Sequence, residues 1–311
     1  MARALLLGVL LAAALAPALQ AQGERPVVVC TTTVLASMVR DLAGDLVVIE
    51  VIASPAVCPA HYDVRPSDVE AFGRADLILA HGIEPWVSEL REASGSKAPV
   101  VWVRGPWNTP EALKARYREV AAALEEHLGL SLSDRLAKCL KAIDETDALL
   151  RAYAREHGFL GTPVVCMLWQ KAFISYLGFR IVAVYGPPEK VSAKQFEGVL
   201  RNASKAGALL VIDNLQSGQD LGRRIASEVG CVQVALSNFP WTSPELTNMT
   251  EVMKWNARRL ARALALAKLR GEVSRLRSEL EMWRIATIVS AVIAIALSVA
   301  YLRLVLRLRR R

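Results

Sequence analysis

Short runs of β-branched and aliphatic residues alternate with helical stretches from Pro26 to Leu236, and this alternation restricts the fold more than any other feature. Strand-like runs cover 26–33, 47–52, 77–80 and 100–103, separated by apolar-periodic helices over 34–43, 67–73 and 84–93. The pattern then repeats. Strands are expected over 164–168, 180–184, 208–212 and 231–236, with helices over 171–177, 193–205 and 220–229. Strands that alternate with helices build parallel sheets with right-handed crossovers. The expected fold class is therefore α/β, with two lobes of parallel sheet and flanking helices. Between the lobes, Thr109 and Pro110 open one helix that runs to about Leu128. Ser131 or Ser133 caps a second that reaches His157, with Leu132, Leu136, Leu140, Ile143 and Leu150 as its apolar stripe. A helix of about 25 residues spans nearly 40 Å, long enough to serve both lobes as a single spine.

The two ends of the chain carry different instructions. Arg3 followed by the apolar run 4–19 and small residues reads as a secretory signal over 1–21. Residues 285–302 contain no charge, and as a helix they measure about 27 Å, close to a bilayer core. Arg303, Arg307 and Arg309 to Arg311 follow at once, which places the C-terminus in the cytoplasm and the main body outside the cell. A buried core helix is the competing reading of 285–302. The net charge of +8 is concentrated in Arg3 and the last five arginines, so the body is nearly neutral and offers no footprint for nucleic acid.

Those boundaries divide the chain into a signal peptide (1–21), an N-terminal α/β lobe (26–108), a helical linker with the spine (109–158) and a C-terminal α/β lobe (159–268). A stalk helix (269–284), a membrane helix (285–302) and a basic tail (303–311) follow. A long helix is expected over 246–269. From Leu269 the apolar positions Val273, Leu276, Leu280 and Trp283 are spaced four and three apart, a heptad seam of about two repeats. The seam leaves weak self-pairing open, as against one amphipathic helix packed on the second lobe. Cys30, Cys166 and Cys231 fall in strand-like runs and Cys139 in a helix, where buried free thiols are the default, with one or two disulfides still open.

The loop from Ser54 to Asp68 leaves one strand and caps the next helix, the place where open α/β sheets bind ligands. It carries Cys58, His61 and Tyr62, held between Pro59 and Pro66. Thiol and imidazole donors on a stiff loop suit a transition-metal ion better than a sugar or phosphate. The bland alternative is a Pro-rich connection with His61 in water.

Specific residues tie the chain to a known family. The run 27–33 ending in threonines, the loop Cys58-Pro-Ala-His-Tyr-Asp-Val-Arg-Pro-Ser-Asp68, Arg74-Ala-Asp-Leu-Ile-Leu with Gly82, the run 208–213 with Gln216, and Met253-Lys-Trp-Asn256 resemble the solute-binding proteins of zinc and manganese ABC importers. The resemblance covers about 26–268. It implies two lobes that close on a transition-metal ion, zinc first with manganese or copper as alternatives. It also implies delivery to an ABC permease driven by a cytoplasmic ATPase, with no organic cofactor. The family's four ligand positions fall here at Ala60, near Gly105 to Trp107, near Met167 and near Ser237, and none keeps the usual donor.

A rebuilt metal site would draw on His61, Cys58, His81, Cys166 and Met167. A mixed imidazole, thiolate and thioether set favours copper(I), or zinc where two thiolates take part. Each of these residues also has a structural alternative, as turn, capped thiol or core. A second reading keeps the fold and takes an organic solute or chelate on Trp107, Trp169, Trp241 and Tyr185, with Arg65 and Arg104 meeting an anion. A third is a tethered surface interaction module, with Asn202-Ala-Ser204 and Asn248-Met-Thr250 as glycosylation sequons. No serine elbow, His-Glu-x-x-His helix or Gly-rich phosphate loop appears, and a Cys58–His61 dyad lacks an orienting third group, so the chain is not expected to be an enzyme.

Overall fold

The structure, a computed structural model, describes residues 24–309. The signal peptide expected over 1–21 and the last two arginines lie outside the described residues. The chain divides into two compact units. One runs to Gly105 and adds Lys114–Lys141; the other is Pro106–Leu113 with everything from Ala142 onward.

In the first unit four parallel strands, β1 (Val27–Cys30), β2 (Val48–Val51), β3 (Leu77–Ala80) and β4 (Val100–Trp102), lie in the order β2-β1-β3-β4. Val28 is in register with Ile49 on one side and Leu77 on the other. All four residues of β3 are buried. Such a strand needs apolar residues at every position, which is why it reads as the unbroken run Leu-Ile-Leu-Ala rather than an alternating one. Helices α1 (Thr33–Ala43), α2 (Pro66–Arg74) and α3 (Val87–Ser94) follow the first three strands. Val29, Ile78, Phe72, Trp86 and Leu90 form one core on one side of the sheet. Helix α4 (Pro110–Leu128) and helix α5 (Ser133–Glu156) come next, and α5 passes from the first unit to the second between Lys141 and Ala142.

The second unit repeats the topology. Strands β5 (Pro163–Met167), β6 (Arg180–Tyr185), β7 (Leu210–Asn214) and β8 (Val232–Leu236) are parallel in the order β6-β5-β7-β8. Helices α6 (Lys171–Tyr176), α7 (Ala193–Ala206) and α8 (Asp220–Val229) connect them. Ser192 and Gln195 exchange side-chain bonds at the start of α7, a capping box that satisfies backbone donors there. Val165, Met167, Val199, Val211 and Ile225 fill the core. In each unit the chain leaves the first strand to one side and returns to the other. The crevice this opens lies at the carboxyl ends of β1 and β3, and of β5 and β7.

The C-terminal region is one helix, α9 (Met249–Arg309), of 61 residues. The late helix, stalk and apolar segment expected from sequence are thus consecutive stretches of one uninterrupted rod. Val252, Met253, Asn256, Leu260 and Leu264 are buried in the second unit, whereas every residue over 268–304 is exposed. The stalk is therefore not packed on the lobe. One stretch of α9 is long and apolar enough to cross a membrane, and none of it is buried.

Candidate functional site

In the first unit the carboxyl ends of β1 and β3 bring together Thr31, Thr32, His81 and Glu84. Oε1 of Glu84 accepts the Thr31 hydroxyl at 2.6 Å and the His81 amide at 3.1 Å, and Oε2 accepts the amides of Gly82 and Ile83 at 2.8 and 2.9 Å. A carboxylate with four donors tolerates burial, and Glu84 is 4% exposed. It turns the chain so sharply that Gly82 adopts φ +83°, and a Cβ there would stand 3.0 Å from the Arg104 guanidinium. His81 is 2% exposed. Its Nδ1 lies 3.2 Å from the Val103 carbonyl and its Nε2 2.9 Å from the Thr32 hydroxyl. A carbonyl can only accept, so Nδ1 carries the proton and Nε2 presents its lone pair to Thr32. Burial lowers the His81 pKa; nearby Glu84 opposes this and Arg116 reinforces it. The ring is neutral, with an Nδ1–H anchored on backbone, the state in which histidine ligates metal through Nε2.

The 54–65 loop is pinned at two points. The Trp86 indole donates to the Pro59 carbonyl at 2.8 Å, and the Tyr62 hydroxyl donates to Asp68 at 2.9 Å. Asp68 also accepts the Arg65 amide at 2.8 Å, closing the start of α2. Burial first and Asp68 second push the Tyr62 phenol up to about 12. The turn Pro59–His61 leaves His61 exposed and Cys58 half-buried.

In the second unit Cys166 and Met167 end β5. The Cys166 thiol donates to the Met167 carbonyl at 3.2 Å, and burial raises its pKa far above the usual thiol range. The Met167 sulfur accepts the Trp169 amide at 3.2 Å while the rest of the side chain packs in the core. At the end of β7 the buried Asp213 carboxylate accepts the Tyr185 hydroxyl and, at 2.8 Å, the Gln233 amide. Burial raises the Asp213 pKa, and those two bonds oppose it. Gly222 of α8 makes this possible, because a Cβ there would lie 1.8 Å from Oδ2 of Asp213.

Beyond β8 the site is built from amides. Asn256 holds the Ser237 amide and carbonyl at 3.0 and 2.8 Å. Gln216 reaches the Ser237 hydroxyl at 3.3 Å and accepts the Asn238 amide at 3.3 Å. Asn108 and Asn238 both donate to the Trp169 carbonyl, at 3.1 and 3.3 Å. The side-chain oxygens of Gln170 and Asn238 are buried without a hydrogen-bond partner. These orphan acceptors are what this strand end leaves open for a donor or a cation.

Of the residues singled out in sequence, Cys58, His61 and His81 lie in the first unit and Cys166 and Met167 in the second. Among the described residues no group of three or more His, Cys, Asp or Glu is placed to hold an ion. All five cysteines are free thiols. Trp107 donates to the Asn238 carbonyl at 3.0 Å, Trp169 is 45% exposed, and Trp241 takes φ +67° with its indole on the Thr247 carbonyl. Arg65 and Arg104 lie over the rings of Tyr62 and Trp102. Sequence reasoning missed Glu84, which it placed in a helix, and the pairing of Thr32 with His81. The available signal was a carboxylate two residues after Gly82, where a turn needs an acceptor.

A family model described as zinc-uptake complex component A, periplasmic, matches residues 28–263. Among solved structures, a zinc-bound deletion mutant of ZnuA is 16% identical over 77% of this chain and 98% of its own, with a TM-score of 0.65. The periplasmic zinc-binding protein TroA from Treponema pallidum is 19% identical over 78% and 99%, with a TM-score of 0.66. A manganese-bound periplasmic metal-binding protein from Candidatus Liberibacter asiaticus is 12% identical over 77% and 99%, also at 0.66. These likenesses are of fold. No curated protein matches the sequence.

Proposed function

We propose, for a chain that belongs to the family of periplasmic zinc-uptake component A proteins, that it is the capture component of a metal-ion importer. It binds one transition-metal ion at the carboxyl ends of its strands and passes it to an ABC permease powered by a cytoplasmic ATPase. Residues 285–302 hold it at the membrane with the body outside the cell. The observation that carries this reading is the family match over 28–263. The neutral His81 ring, with Nδ1–H held on the Val103 carbonyl and Nε2 on the Thr32 hydroxyl, supports it, as do the unpartnered amide oxygens of Gln170 and Asn238 at the second unit's strand ends. Zinc is the first candidate from the family, with copper and manganese open. His61, Cys58, His81, Met167 and Cys166 are the proposed donors.

The test uses the full chain in detergent, stripped of metal and titrated with Zn²⁺, Mn²⁺ and Cu⁺ by calorimetry, beside His61→Ala and His81→Gln. One-to-one binding of one ion is expected, weakened by about tenfold or more in at least one variant. Absence of binding for all three ions, in protein that melts cooperatively, overturns the metal reading. The amide-rich end of β8 and the exposed Trp169 then favour an organic solute.

A further inference from the structure

The stretch of α9 between body and apolar segment is a solvated helix with an apolar edge. Leu266, Leu269, Val273, Leu276, Leu280 and Trp283 recur at spacings of three and four and are 40–73% exposed. In heptad terms Leu266, Val273 and Leu280 take position a, and Leu269, Leu276 and Trp283 position d. The charges beside this seam are sorted by sign. Of the g positions Ala265, Glu272 and Glu279, two are acidic and none basic, and all three e positions, Arg270, Arg277 and Arg284, are basic.

Sorting of this kind identifies the occupant of the seam. In a parallel pair of helices a g residue faces the e residue five positions later in the other strand. Glu272 of one copy then meets Arg277 of the second copy, and Glu279 meets Arg284, twice each by symmetry. Antiparallel packing would set g against g and e against e, so glutamates would meet glutamates and arginines arginines. Of the three a positions the central one, Val273, is β-branched and has Leu269 and Leu276 at the neighbouring d positions, the combination that favours two strands. We propose that residues 266–283 form a parallel two-stranded coiled coil with a second copy of this chain.

The charges select the parallel orientation by themselves, and the anchored reading, on which membrane confinement rests, selects it again. Among the described residues Glu279 pairs with Arg275 of the same helix at 3.6 Å and Arg284 with Glu281 at 2.9 Å. Exposed pairs of this type contribute little, so exchanging them for inter-chain pairs costs little. The seam is short, about two and a half heptads, below what holds in water alone. Confinement of both copies to one membrane raises their effective concentration. The same register continues through Thr287, Ser290 and Ala294, small side chains that let helices approach in lipid.

The experiment uses the full chain in membrane vesicles. A carbonate wash first shows whether the chain stays with the lipid, which tests the anchor separately from the pairing. Leu276→Cys, at d, is then oxidised beside Ser278→Cys, on the outer face, and the parent chain. A disulfide-linked dimer is expected for Leu276→Cys alone. Introducing Glu272→Arg with Glu279→Arg should abolish it, as should Arg277→Glu with Arg284→Glu. Differently tagged copies of these two charge variants, mixed in one membrane, should regain a linked pair made of one of each. Equal linkage at 276 and 278, or linkage at 276 that ignores charge reversal, overturns the proposal.

Discussion

Replacing Tyr185 by phenylalanine removes one oxygen from the second unit and leaves a buried carboxylate short of a donor. Tyr185 and Asp213 are 3% and 1% exposed, and the hydroxyl is one of two side-chain donors to the carboxylate, Gln233 being the other. The ring stays, so packing is nearly unchanged and the loss is that of a hydrogen bond to a charged acceptor, about 1.5–3 kcal/mol. For a body of this size each kcal/mol moves the melting temperature by roughly 2–4 °C, so a drop of about 3–12 °C is expected near pH 7.5. The pH dependence adds a second check. Burial raises the Asp213 pKa above its ordinary 3.8, and the Tyr185 bond is the largest influence opposing that rise. Without the bond the folded pKa moves further up. Between the unfolded and folded values the folded state then holds more protons, so stability falls as pH rises through that window. The deficit of Tyr185→Phe is therefore greatest above the raised pKa and shrinks as pH falls through that window. Thermal unfolding followed by tryptophan fluorescence at pH 7.5 and in steps down towards pH 4 reads both. A deficit under about 0.5 kcal/mol at pH 7.5, or one that grows as pH falls, would refute the reasoning.

Gly222→Ala places a methyl 1.8 Å from Oδ2 of Asp213, so α8 must move or the carboxylate must leave its donors; a loss of about 2–4 kcal/mol in the same melts is expected, and an unchanged melt would show that α8 does not lie against Asp213. His81 has a pKa lowered by burial, so the unfolded chain takes up its proton first and stability is lost as pH falls below about 6.5. His81→Gln should remove that step from the difference between chemical-denaturation midpoints at pH 7.5 and 5.5; a step of the same size in the variant would assign it to another group.

The fold was legible because it rests on local pattern. The Leu77–Ala80 strand and the Asp220–Val229 helix sit where periodicity puts them. Element ends shifted where tertiary bonds decide them. The helix expected from Glu84 begins at Val87, because the Glu84 carboxylate is spent on the preceding turn. The strand expected over 208–212 starts at Leu210, since the Ala208 amide still closes the preceding helix on the Ala203 carbonyl, and it extends to Asn214, which brings Asp213 into the ladder. The candidate site was less legible for the same reason. His81 depends on Thr32 and Val103, 49 and 22 residues away, and no local pattern announces such partners. The 54–68 loop was conspicuous in sequence, yet its prolines and Trp86 fix a turn that leaves His61 in solvent.

The unbroken course of α9 makes it an indexing shaft in the anchored reading. Asn256 grips both backbone groups of Ser237 and Arg259 holds the Ala235 carbonyl at 3.0 Å, so the end of β8 is keyed to one phase of a helix that runs on to Arg309. An α-helix advances about 1.5 Å and turns about 100° per residue. Inserting one residue into 269–284 would swing the β8 end a little over a quarter of the way around the shaft while raising it hardly at all. Inserting seven would lift it by about 10 Å and return it to within about 20° of its starting azimuth. On that reading, stand-off from the bilayer and the compass bearing of the strand end are set separately by the same segment, one by its length and the other by its length modulo the helical turn.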